Sequence, residues 1–218
     1  MDEQVPECES ALLVFLRYPE PGQVLLGLVE SLGPVMACRL YAHLARRTLD
    51  EARRVAGVAR YIFFDPPDRA DEVDQWLEAY SDAFALAVQS DGDPGERMRA
   101  ALHRIFSRNT VRRAVAVTAE CPTLNRQAIE SAFSALTRAP AVIGPTHDGG
   151  CYLLGMTRPI PFGFEDLDWV AGRVLEPMVV ALRRRNLEPE LLPVARRVET
   201  LDDLEAVWPR WRDEVGGG

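Results

Sequence analysis

Ala11-Leu12-Leu13-Val14-Phe15-Leu16 is the stretch whose reading decides the fold. The run is apolar throughout, shorter than a core helix, and shows no alternation with polar residues. Such a run reads as a strand buried on both faces, which implies a parallel sheet covered by helices above and below. It ends at Arg17-Tyr18-Pro19-Glu20-Pro21-Gly22, where prolines at alternate positions exclude a helix and stiffen the loop. Gly33-Pro34 then opens an amphipathic helix over residues 35–55, with Val35, Cys38, Leu40, Leu44 and Leu49 on one face and arginines on the other.

The same alternation repeats down the chain. Strands are expected at 59–64, 84–88, 114–118, 141–144 and 190–193, with a further strand at 150–156 that has room to run antiparallel. Helices are expected at 70–80, 94–106, 125–136 (with Asn125 as N-cap), 172–185 and 201–208. Strands alternating with helices of this length predict a three-layer α/β/α architecture around a mostly parallel sheet. No composition break or linker divides the 218 residues, so one domain over 1–218 is expected, with 1–10 and 214–218 as disordered tails. Residues 157–168 are irregular and proline-rich, as a lid or an insertion would be.

Composition narrows the function. The formal net charge of -8 argues against a nucleic-acid partner and against an anionic membrane surface. All 25 basic residues are arginine, which removes any lysine from phosphate or Schiff-base roles. No apolar run reaches the ~20 residues of a membrane span. The first ten residues lack the pattern of a signal peptide. Cys8, Cys38, Cys121 and Cys151 form no CxxC pair and match no zinc spacing. A cytoplasmic protein with free thiols is expected.

Ligands of open α/β sheets bind beyond the carboxyl ends of the strands. That places four loops together: 17–22, 90–96, 119–124 and 145–150. In the last, Asp148 precedes Gly149-Gly150, whose missing side chains permit a sharp turn and close approach to a ligand. Asp148 reads either as a turn acid bonded to its own backbone or as a ligand to a metal or sugar hydroxyl. Glu120 follows the central strand, where it is a solvated acid or a carboxylate that holds the cation of a nucleotide diphosphate. Glu96 suits a helix N-terminus, and beside it Arg97 reaches either a phosphate or a neighbouring acid. The strings Asp91-Gly92-Asp93 and Asp166-Leu167-Asp168 carry little weight in an acidic chain.

These segments, taken in order, carry a resemblance. They are Arg17-Tyr18-Pro19-Glu20-Pro21-Gly22, Gly95-Glu96-Arg97-Met98, Gly144-Pro145 with Asp148-Gly149-Gly150 and Tyr152, Trp169, and Thr200 with Asp203-Leu204. The chain resembles a bacterial glycosyltransferase-like family described as radical-SAM/selenodomain-associated, over about residues 11–204. Its members look like nucleotide-diphospho-sugar transferases of the GT-A type, with a Rossmann-like sheet, and are similar to the nucleotidyltransferases of cofactor synthesis.

The resemblance implies a nucleotide-diphosphate sugar as donor, an acceptor it does not specify, and Mg2+ or Mn2+ as cofactor. It implies Glu120 and Asp148 as catalytic residues, and Glu120 with Glu199 as metal ligands. The donor or acceptor would meet Arg17, Pro19, Glu20 and Gly22 in the first loop, Glu96 and Arg97 in the second, and Gly149, Gly150 and Tyr152 in the last. The departures are specific. Where the family has Val-Lys-Thr-Arg-Leu, this chain has Val24-Leu25-Leu26-Gly27-Leu28. Where it has Thr-Asp, this chain has Ala119-Glu120, and where it has Asp-Val-Asp-Thr, Arg197-Val198-Glu199-Thr200. Arg17, Arg97 and Arg173 are the candidates to replace the lost cations. Three readings follow: a metal-assisted glycosyl transferase, a nucleotidyltransferase, or a relative without turnover that binds a ligand or a partner such as a second copy of itself. Whether Leu25 and Leu26 fill the cleft discriminates among them.

Overall fold

The computed structural model describes residues 8–159, 167–169 and 172–215. The decisive run becomes β1 (Ser10–Arg17), which pairs in parallel with β2 (Ala59–Asp65) on one side and β4 (Arg113–Thr118) on the other. β3 (Ala85–Val88) extends the parallel sheet beyond β2. β6 (Cys151–Met156) runs antiparallel between β4 and β5 (Ala141–Pro145), as a hairpin return must, and the short β7 (Glu190–Leu191) closes the far edge. The order is β3-β2-β1-β4-β6-β5-β7.

Helices cover both faces, because β1 exposes apolar side chains on both. Leu12, Val14 and Leu16 share a core with Tyr41 and Leu49 of α2 (Pro34–Arg53), Val73 of α3 (Ala70–Trp76) and Ile129 of α5 (Arg126–Ala135). Ala11 and Leu13 share the opposite core with Met98 and Leu102 of α4 (Pro94–Phe106) and Met178 of α6 (Leu175–Arg183). The alternation of β1 side chains between the two cores is the period-two geometry of a strand. The result is the expected three-layer fold.

Local signals set several helix starts. Asp93 caps α4 in a reciprocal capping box with Glu96, with Pro94 at the first position. Asn125 caps α5 through Ala128 N–H. Thr200 caps α7 (Leu201–Val207) in a second capping box, with Asp203.

Other boundaries differ from expectation. The apolar run after the first loop forms an extra helix, α1 (Leu26–Leu32), entered through Leu25 in the left-handed region at φ 46° and left through Gly33 at φ 77°. Leu28 of α1 is fully buried in a third core with Leu40 and Leu44 of α2 and Trp208 and Trp211. Residues 70–80 divide into α3 and a 3-10 turn at Glu78–Tyr80. At the carboxyl end, burial of Trp211 seats one more short helix, α8 (Trp211–Val215). Ser10 pairs with Arg113, and Glu214 and Val215 belong to α8, although both segments read as tails in the sequence. The remainder of those tails, 1–7 and 216–218, lies outside the described residues, as does Asp166 of the second Asp-x-Asp string. Among the described residues no helix is long and apolar enough to cross a membrane.

Candidate functional site

The strand order reverses direction at β1: β2 and β3 lie to one side, β4 and later strands to the other. In open parallel sheets the loops after the strands flanking such a switch point part at the carboxyl edge, and ligands bind in the crevice between them. Arg17 ends β1, and Glu120 follows β4 by two residues. The β5–β6 hairpin brings residues 146–150 to the same edge. The segment 195–200 joins them: Ala195 N–H donates to Pro145 O at 2.9 Å and Val198 N–H to Glu120 O at 3.0 Å.

A cationic pair stands on the β1–β2 side. Arg17 and Asp65 are register partners in β1 and β2. Asp65 Oδ2 accepts from Arg17 Nε at 3.1 Å and lies 2.8 Å from an Arg97 terminal nitrogen. One carboxylate, 13% exposed, thus holds two guanidinium groups together with a net charge of +1. Arg97 Nε donates to Gly92 O at 2.9 Å, and Arg17 NH1 to Gln23 O at 3.3 Å. Arg17 N–H donates to the buried Tyr41 hydroxyl at 2.7 Å, which ties β1 to α2. Asp65 was not singled out by sequence; the signal available was an acid ending the second buried strand, at the place where Arg17 ends the first.

The acidic residues gather on the β4–β6 side. Asp148 Oδ1 accepts from Thr146 Oγ1 in a short hydrogen bond and from Gly150 N–H at 3.2 Å. Its Oδ2 accepts from Arg197 NH2 at 2.8 Å, and the same nitrogen lies 2.5 Å from Glu199 Oε1. Burial pushes the Asp148 carboxyl up, but the Thr146 and Arg197 hydrogen bonds outweigh it and hold the group below its ordinary value. Glu120 is within electrostatic reach of Arg197, Arg17 and Glu199. In the sequence Arg197 stands out only as a departure from the family's Asp-Val-Asp-Thr.

The Mg2+ or Mn2+ implied by the resemblance would share this donor set with Arg197. Both Asp148 oxygens are engaged by the protein, and the guanidinium of Arg197 lies between Asp148 and Glu199. Among the described residues no group of three or more His, Cys, Asp or Glu side chains is arranged to hold a metal ion. Glu120 and Glu199, the expected metal ligands, stand beside the Arg197 guanidinium, with Glu199 Oε1 2.5 Å from it.

Several expected site residues serve the scaffold. The Glu96 carboxylate accepts from Asp93 N–H at 2.8 Å, completing the cap of α4. Tyr152 is buried and donates to Pro193 O at 3.3 Å; its ring lies 2.5 Å from where a Cβ on Gly144 would stand. Glu20 pairs with Arg69 at 3.3 Å, and Pro19 is half-buried in the same loop. Gly22 and Gly149 adopt φ of +79° and +87°, which a residue with a Cβ rarely does. Gly150 approaches Gly172 O so closely that a Cβ would stand 2.9 Å away. Arg173 is exposed beside Gly149. Burial pushes the Cys151 thiol up to about 12, which keeps it neutral.

Leu25 packs against two cores while Leu26 is 63% exposed, so Leu26 does not plug the crevice. Gly27 is required where it stands, because a Cβ would meet Glu199 O at 2.3 Å.

Glu120 supports a pH prediction. Burial pushes its carboxyl above the ordinary value of 4.5, and the attraction of Arg197 and Arg17 only partly opposes it. A raised folded value means that folding favours the protonated acid. That contribution is complete below the unfolded value and is lost as pH rises through the folded one. Glu120→Gln, which imitates the protonated form, is therefore expected to melt above the wild type near neutral pH, with a gap that narrows toward pH 4.5. Melting curves across this range check it; a gap independent of pH sinks the idea.

Residues 48–171 match a family described as "Uncharacterized protein conserved in bacteria (DUF2064)". The crystal structure of a candidate nucleotide-diphospho-sugar transferase from Desulfovibrio desulfuricans G20 is 32% identical, covers 92% of this chain and 87% of its own, and superposes with a TM-score of 0.84. The 4-diphosphocytidyl-2C-methyl-D-erythritol synthase of Anaerococcus prevotii DSM 20548 is 11% identical over 94% of this chain and 96% of its own, with a TM-score of 0.58. The mannosyltransferase PcManGT of Pyrobaculum calidifontis, in complex with GDP-Man and Mn2+, is 13% identical over 95% of this chain and 61% of its own, with a TM-score of 0.56. The last two share the fold alone. No curated protein matches the chain.

Proposed function

This chain belongs to the bacterial DUF2064 family, and from that premise we propose that it binds a nucleotide-diphosphate sugar at the switch-point crevice and transfers the sugar to an acceptor. The observation that carries the reading is the placement of Arg17 and Glu120 on either side of that switch point, with Arg97 held beside Arg17 by Asp65. The transferase-like relative from Desulfovibrio supports the donor class.

In such a transfer the bond between the anomeric carbon and the diphosphate oxygen breaks, and the acceptor oxygen forms a new bond to that carbon. The diphosphate leaves with negative charge. Cations already in place stabilise that charge without reorganising during the reaction. Arg17 and Arg97 supply it on the nucleotide side. The hairpin backbone at Gly149 and Gly150, braced by Asp148, borders the sugar and acceptor. Glu120, within electrostatic reach of Arg17 and Arg197, is the carboxyl group positioned to take or give the acceptor proton.

Nucleotidyl transfer on the same fold is disfavoured by the loop after β1. No basic residue occurs between Arg17 and Arg39, whereas a triphosphate would need one. If donor binding fails, a non-catalytic role remains, with exposed Leu26 and Val35 as the surface for a second copy.

The test is thermal melting with a panel of nucleotide diphosphates and nucleotide sugars, with and without Mn2+. A ligand at one hundred times its dissociation constant adds about 2.7 kcal/mol, a shift of roughly 5–10 °C for a chain of this size. A shift with one nucleotide class names the donor. No shift at millimolar concentrations removes the donor-binding reading.

A further inference from the structure

Glu120, Asp148 and Glu199 come to one patch of the sheet edge from three distant segments, and a basic residue stands among them. A single nitrogen of Arg197 lies 2.8 Å from Asp148 Oδ2 and 2.5 Å from Glu199 Oε1. The remaining Asp148 oxygen is bonded to Thr146 and Gly150 within its own turn. The arginine side chain is 24% exposed, and a Cβ on Gly172 would stand 3.1 Å from the same nitrogen, so Gly172 lies against the ion pair. The backbone on either side of Arg197 is pinned: Val198 N–H to Glu120 O, and Ala195 N–H to Pro145 O. Arg197 is thus held between β4 and the β5–β6 turn by main-chain bonds as well as by charge.

We infer that the Arg197 guanidinium is the resident cation of this acid set, standing between Asp148 and Glu199 where a divalent ion would otherwise bridge them, so that the site operates without Mg2+ or Mn2+. A fixed guanidinium and a divalent ion exclude one another here. Two cations a few ångströms apart repel, and both Asp148 oxygens and one oxygen of Glu199 are already engaged by the protein. One terminal nitrogen of the guanidinium holds both carboxylates. Its charge is permanent and unaffected by chelators. The inference concerns the protein alone and does not depend on which donor binds, or on whether one binds.

The experiment is a Mn2+ titration of the chelator-stripped full-length protein, followed by electron paramagnetic resonance of the free ion. Wild type is expected to take up no Mn2+ at millimolar concentrations. Arg197→Ala, which frees Asp148 and Glu199 beside Glu120, is expected to gain Mn2+ affinity by roughly tenfold or more. Adding Glu199→Gln is expected to abolish the gain. Arg197→Met, which keeps the side-chain bulk without the charge, serves if the alanine variant does not fold. Mn2+ binding by wild type that Glu120→Gln or Glu199→Gln weakens would overturn the inference. So would a folded Arg197 variant that binds no more Mn2+ than wild type. A failed donor panel leaves both outcomes readable, since no nucleotide enters the titration.

Discussion

Replacing Arg17 and Arg97 together by alanine is expected to weaken binding of the nucleotide diphosphate at least about a hundredfold. Hydrogen bonds to charged groups contribute roughly 1.5–3 kcal/mol each, and each 1.4 kcal/mol is a factor of ten in affinity. The two guanidinium groups share Asp65, so each single variant leaves its partner in place and is expected to cost about tenfold or more. The double variant also leaves Asp65, 13% exposed, without a cation. A fold-level loss is separated from a binding loss by the further change Asp65→Asn in the same background, which removes that uncompensated charge. Arg17 is 50% exposed, so the stability cost of losing its pair is small. Arg184→Ala, on the exposed end of the sixth helix, is the control and is expected to bind as wild type does. Titration calorimetry with the nucleotide that shifts the melting curve measures all of these. A double variant that binds like wild type would place the diphosphate elsewhere.

Phe63→Ala is expected to destabilise the protein by about 3–5 kcal/mol, because truncating a buried aromatic removes its transfer energy and leaves a cavity. Phe63 is 2% exposed and stacks on Phe15 with centroids 5.4 Å apart. The two are register partners in β2 and β1, two residues before Asp65 and Arg17. For a chain of this length the loss lowers the melting midpoint by roughly 10 °C. The substitution also loosens the strand ends that carry the arginine pair, so donor affinity is expected to fall with stability. Leu102→Ala, against the same core but on the fourth helix, is expected to cost about 2–5 kcal/mol with affinity unchanged once the protein is folded. Chemical unfolding of both variants, paired with calorimetry, checks the distinction. Equal losses of affinity would show that Phe63 has no particular link to the site.

Much of the fold was legible because its signals are local. The run 11–16 could hide its side chains only inside a sheet. Asp93-Pro94, Asn125 and Thr200 each mark a helix start through a bond that spans three residues. The first helix was not legible. Leu25, Leu28, Val29 and Leu32 stand at helical spacing and face one core, but seven residues entered through a left-handed Leu25 and ended at Gly33 are too short a run for the period to decide. Residues 150–156 read correctly as a strand with room to reverse, since the turn before them is short.

The candidate site divides along the same line. Arg17, Glu120 and Asp148 were recognisable as residues at or just beyond the carboxyl ends of strands, which any parallel sheet gathers on one edge, and Arg97 as one in the first turn of the helix that follows the third strand. Their partners were not. Asp65 meets Arg17 across 48 positions of sequence, and Arg197 meets Asp148 across 49. Sequence by itself determined the central strands, the longer helices and which edge of the sheet bears charge, because hydrophobic period and capping chemistry act within a few residues. Only the tertiary structure decided that Asp65 joins two arginines and that Arg197 stands among the acids. An ion pair requires two charges within a few ångströms, and the strand order brings those segments together.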